Sequence, residues 1–65
     1  MKIRLNGAET QTQAQTVTEL LQELQFPTQG VAVAVNEAVV SRTQHATHQL
    51  HDGDRIEIIR AVQGG

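Results

Sequence analysis

Residues 1–24 read MKIRLNGAETQTQAQTVTELLQEL, and two different periods follow one another along them. Apolar Met1, Ile3 and Leu5 alternate with polar Lys2, Arg4 and Asn6, the period of a half-buried strand. Asn6-Gly7 is the dipeptide favoured in two-residue hairpin turns, whose central residues both need positive φ. The polar, Thr- and Gln-rich stretch that follows is expected to form a solvated edge strand over residues 8–13. The period then changes. Thr16 with Glu19 three residues on fits a capping box, and Val17, Leu20, Leu21 and Leu24 fall at i, i+3, i+4 and i+7, giving a helix over 17–25 with one apolar face. Pro27 is expected to stop it by excluding the α conformation from Phe26.

Working outward, VAVAV at 31–35 alternates large with small: Val31, Val33 and Val35 are placed under the helix, Ala32 and Ala34 on the opposite face. Asn36-Glu37 reads as a turn before a short strand around Val39 and Val40. The polar stretch TQHATHQL is expected as loop or a single helical turn. HDGD is a turn in which Gly53 takes positive φ, and RIEIIRAV is the last strand, with Ile56 and Ile58 inward. A hairpin followed by one helix over a mixed sheet is an α+β arrangement, with the first and last strands as central neighbours. The candidate core is Ile3, Leu5, Val17, Leu20, Leu21, Leu24, Phe26, Val31, Val33, Val35, Val39, Leu50, Ile56 and Ile58. Residues 1–62 are expected to form one domain and 63–65 a flexible tail.

Composition narrows the function. At 65 residues without cysteine, the chain has neither a disulfide framework nor a thiolate metal staple. Five basic against seven acidic side chains give a net charge of −2, which argues against nucleic acid, since phosphate contacts need clustered Lys and Arg. Phe26 alone is no stacking platform. No run approaches the length of a membrane span and no signal-peptide apolar region opens the chain, so a soluble cytoplasmic protein is expected. His45, His48 and His51 lie three apart; on a helix they would spread over about a third of the circumference, poor geometry for one ion, and they read as solvent-exposed turn histidines. Asp52 and Asp54 flank Gly53 as turn formers do. With no phosphate-cradling loop, any nucleotide chemistry belongs to a partner.

The opening IRLNG, the helix start TVTELL, then VAVNEAVVSR and LHDGDRIEIIRAVQGG, resemble the ubiquitin-like sulfur carriers, most closely the ThiS family. The MoaD type, the small subunit of molybdopterin synthase, is the alternative within the superfamily, and a ubiquitin-like protein modifier is the alternative outside sulfur transfer. The resemblance covers essentially the whole chain. It implies a β-grasp (ubiquitin-like) fold with a mixed four- to five-stranded sheet and one main helix packed on one face. It also implies a sulfur carrier for thiazole formation in thiamin biosynthesis: a protein co-substrate, not an enzyme, monomeric when free and binding no cofactor of its own. A ThiF-type adenylyltransferase, using ATP and Mg, would adenylate the carboxylate of Gly65. A persulfide donor would convert it to a thiocarboxylate, and thiazole synthase (ThiG) would take the sulfur.

The tail suits that cycle. Without cysteine, the α-carboxylate of Gly65 is the natural place to carry sulfur, and Gly64, lacking Cβ, gives access to a narrow channel. From Val62 to Gly65 an extended chain reaches roughly 10–13 Å. Partner contact is expected on the sheet face away from the helix. Ile59 breaks the alternation after Ile58 and points outward; with Ala32, Ala34, Val40 and Ala61 it would form a small apolar patch near the tail. As an alternative, Ile59 is a single exposed apolar residue or sits at a bulge.

Overall fold

The computed structural model describes residues 1–27 and 30–60. In chain order the elements are β1 (Lys2–Leu5), β2 (Ala8–Gln11), α1 (Val17–Glu23), β3 (Val31–Val35), β4 (Ala38–Val40), a short 3-10 turn (Arg42–Gln44) and β5 (Arg55–Arg60). They form a β-grasp fold: a five-stranded mixed sheet in the order β2-β1-β5-β3-β4, with β1 and β5 parallel at its centre. Both tight hairpin turns carry positive φ at both central residues, 49° and 85° at Asn6-Gly7 and 52° and 73° at Asn36-Glu37. That is the combination whose twist matches the flanking strands. The first hairpin sets the register Ile3 opposite Thr10 and Leu5 opposite Ala8. β2 is two residues shorter than the expected 8–13 because Thr12 turns in: it is buried, and its hydroxyl donates to the Glu23 carboxylate at 2.8–2.9 Å.

The helix starts where the sequence places it. The Thr16 hydroxyl accepts from the Glu19 N–H at 3.2 Å, while Glu19 Oε1 reaches back to the N–H of Gln15, one residue earlier than a standard capping box, at 2.8 Å. The next N–H groups of the first turn go to the following loop: Val17 donates to the His48 carbonyl and Thr18 to that of His45. The helix ends two residues before the expected 25, and not because of Pro27. Gln25 takes φ 62°, its N–H donates to the Gln22 carbonyl, and the Phe26 N–H donates to that of Leu21. These paired bonds around a left-handed residue are a Schellman motif, so the stop is complete before the proline is reached.

Helix and sheet close over Ile3, Ala14, Val17, Leu20, Leu21, Val33, Val35, Val40, Leu50, Ile56 and Ile58, with Leu5, Leu24, Phe26 and Val31 half-buried around them. Each Val, Leu or Ile side chain among them contributes roughly 1.5–3 kcal/mol when fully removed from water. One expected core member is misplaced: Val39 is 79% exposed, and Val40 takes the inward position. The Asn36-Glu37 turn fixes Val33 opposite Val40 and Ala34 opposite Val39, and directly opposed residues share a face. Because Val33 is inward, so is Val40. Among the described residues, no helix is long and apolar enough to cross a membrane.

Candidate functional site

The outer face of the sheet has an apolar half and a charged half. On β3–β5, Ala32 stands opposite Ile59, and Ala34 lies between Glu57 on one side and Val39 on the other. Ile59 is 64% exposed, which fits its expected outward direction, and Ala32 and Ala34 share its face. Val40, expected in this patch, belongs to the core instead; Val39 replaces it. On β1–β5, Arg4 stands beside Arg55, and Glu9 faces Arg4 from β2. Arg55 pairs with Glu37 at 3.6 Å and Lys2 with Glu9 at 2.9 Å, both exposed pairs of little energetic weight. Between Arg4, Glu37, Arg55 and Glu57 lies a recess of about 170 Å³. That is below the ~300–1,000 Å³ of small-molecule sites, though it has room for a partner's side chain.

β5 carries the chain past this face toward the C-terminus. It starts from the Asp52-Gly53-Asp54 turn, where the Gly53 N–H donates to the Lys2 carbonyl at 2.7 Å and Asp52 accepts from the Lys2 N–H at 2.8 Å. Asp54 is more than a turn former: nearly buried, its carboxylate accepts from the Asn36 side chain at 3.0 Å and the His51 N–H at 2.8 Å. At the far end, Arg60 lays its guanidinium over the Phe26 ring, 5.6 Å from the centroid, a cation–π contact that ties the last described residue to the end of the helix. Gly64, Gly65 and Ala61, and the expected domain boundary at residue 62, lie outside the described residues.

The histidines do not all face solvent. His45 is buried, its ring Nε2 lying 3.1 Å from the Val40 carbonyl oxygen, while His48 is half-buried and His51 exposed. His45 therefore fastens the loop to β4. Among the described residues, no group of three or more His, Cys, Asp or Glu is arranged to hold a metal ion.

Comparison with known proteins gives this face and strand a context. The family model described as "ThiS family" matches residues 3–65. The chain is 41% identical to the sulfur carrier protein ThiS of Escherichia coli over the whole of both chains. It is 42% identical to a segment making up 20% of the thiazole synthase of Magnetococcus marinus, a match that spans all of this chain. The crystal structure of the thiamine biosynthesis protein ThiS from Geobacter metallireducens superposes with a TM-score of 0.85 at 29% identity, covering all of both chains. With the whole sheet, the helix and the run through Gly65 accounted for by these matches, the chain belongs to the ThiS family.

Proposed function

We propose that this chain is a sulfur carrier for thiazole formation in thiamin biosynthesis, with the Gly65 carboxyl group as the carrying atom group. The observation that carries the reading is the family match, which runs through Gly64 and Gly65. In the proposed cycle a ThiF-type partner holds ATP and magnesium. A Gly65 carboxylate oxygen attacks the α-phosphorus, pyrophosphate leaves, and an acyl-adenylate forms. The partner must keep water from this mixed anhydride. The terminal sulfur of a persulfide then attacks the acyl carbon and AMP leaves, giving an acyl disulfide. A thiol takes the other sulfur as a disulfide and frees the thiocarboxylate. The chain is a co-substrate throughout, acting in the cytoplasm and supplying no catalytic group.

The acceptor in this reading is thiazole synthase. It is supported by the thiazole synthase of Magnetococcus marinus, a fifth of whose length matches this chain: a carrier and the enzyme it serves gain effective concentration when joined. Ile59, Ala32 and Ala34, with Val39 in place of Val40, form the proposed docking face, and the Arg4–Arg55 pair offers a partner carboxylate a place to bind. The reading is tested by complementation. In a bacterium lacking its own carrier, the chain should restore growth without added thiazole, and the chain lacking Gly65 should not. Restoration of molybdopterin-dependent activity alone, or growth supported equally without Gly65, would overturn it.

A further inference from the structure

Every side-chain carboxylate but one has a partner among the described residues. Glu9 and Glu37 pair with Lys2 and Arg55, Glu23 accepts from Thr12, and Glu19, Asp52 and Asp54 accept from backbone N–H groups. Glu57 is the one left: it stands exposed on the outer face of β5, and among the described residues no donor or cation holds its carboxylate. The two arginines that line the same recess turn elsewhere, Arg4 donating to the Gly7 carbonyl at 3.4 Å and Arg55 reaching Glu37. On its other side Glu57 borders the apolar half of the face. Ala34 on β3 stands directly opposite it, Val39 lies beyond Ala34, and Ile59 follows two residues along β5 on the same face. In water a lone carboxylate at this border is well solvated. A partner that covers Ala34, Val39 and Ile59 covers Glu57 with them, and a charge removed from water without a counter-charge strongly opposes binding.

We propose that Glu57 is a specificity-determining residue of the docking face, met by an arginine of the ThiF-type partner. This rests on the sulfur-carrier reading, whose docking face it shares. Arginine suits the place better than lysine. Its planar guanidinium is weakly hydrated, grips a carboxylate through two parallel N–H groups, and can lie against Ala34 and Ile59 while it does so. A protein that covers this face without a cation opposite Glu57 is rejected by the buried charge.

The test is calorimetric binding of the chain to a ThiF-type enzyme, alongside the rate of ATP-dependent pyrophosphate release. Glu57→Gln keeps the shape and removes the charge; its Kd should rise about thirtyfold, the lower end of the loss when one partner of a buried charge pair is truncated. Glu57→Leu separates a paired carboxylate from one merely covered. It enlarges the apolar patch, so it would bind more tightly if the charge had no partner, and should instead bind at least about tenfold more weakly. The maximal rate of pyrophosphate release should stay within about twofold in both, because the loss falls on binding. Glu9→Gln makes the same change in net charge at a carboxylate already held by Lys2, and its Kd should move by less than about twofold. Among the enzyme's surface arginines, one Arg→Gln substitution should weaken binding of the parent chain and leave that of Glu57→Gln unchanged. An unaltered Kd in Glu57→Gln, tighter binding by Glu57→Leu, an equal loss in Glu9→Gln, or no arginine coupled to Glu57 overturns the assignment. If the unsubstituted chain supports no pyrophosphate release, the carrier reading itself fails; if it does and the Glu57 outcomes alone fail, that reading stands without this contact.

Discussion

Val39 and Val40 are adjacent, chemically identical and placed in opposite environments, so truncating each in turn tests the register of the whole β3–β4–β5 region. Val40 is 5% exposed and Val39 79%. Val40→Ala removes two buried carbons, about 1.6 kcal/mol at ~0.8 kcal/mol per methylene. A partly unfilled void adds to this at roughly 24 cal/mol per Å³, for a total of about 2 kcal/mol. Val39→Ala loses at most a fifth of the transfer contribution, about 0.3 kcal/mol. In a domain of this size 1 kcal/mol shifts Tm by roughly 4–8 °C, so Val40→Ala should melt about 8–16 °C lower and Val39→Ala within about 3 °C of the parent, followed by far-UV circular dichroism. The function should divide the other way. Val39→Asp should fold normally yet weaken binding to the activating partner by roughly tenfold, the scale of an interface residue worth above 1 kcal/mol. Equal melting of the two alanine variants, or greater sensitivity at Val39, would refute the register and the docking face together.

Two further outcomes follow from local geometry. Gln25→Gly relieves the left-handed φ of 62° at the helix stop and should raise stability by about 0.5–1 kcal/mol, read as a higher urea midpoint with unchanged slope; a loss of stability would mean that the Gln25 side chain does something unrecognised. His45→Ala removes the imidazole bond to the Val40 carbonyl and a buried ring, and should lower stability by about 2–3 kcal/mol. His51→Ala, at an exposed position, should shift it by less than about 0.5 kcal/mol; equal effects at the two histidines would contradict the placement of the loop.

Much of this fold was legible in the sequence because its signals are local. The Ile3/Leu5 alternation, the Asn6-Gly7 turn, the Thr16 cap and the Leu20/Leu21 face each need only a few neighbouring residues. What was not legible depends on contacts distant in sequence. His45 looks like any polar loop residue until β4 supplies the Val40 carbonyl 3.1 Å from its ring. Asn6 looks like a turn former until Ile58, 52 residues away, closes the pair of bonds to its amide. The Val39/Val40 assignment is a different case. A two-residue turn after Val35, with Val33 already inward, forces Val40 inward by counting; the adjacency of two valines hid a register that the turn determines. The helix end likewise turned on a left-handed Gln25, for which the glycine-centred rule gave no signal, while Pro27 offered a visible but redundant stop.

The central claim concerns one carboxyl group, and intact-mass spectrometry addresses it directly. The chain incubated with a ThiF-type enzyme, ATP and a persulfide source should gain the mass difference of one oxygen replaced by one sulfur, with fragmentation placing the change at Gly65. No mass gain, or a gain located anywhere other than the Gly65 carboxyl group, would contradict the account.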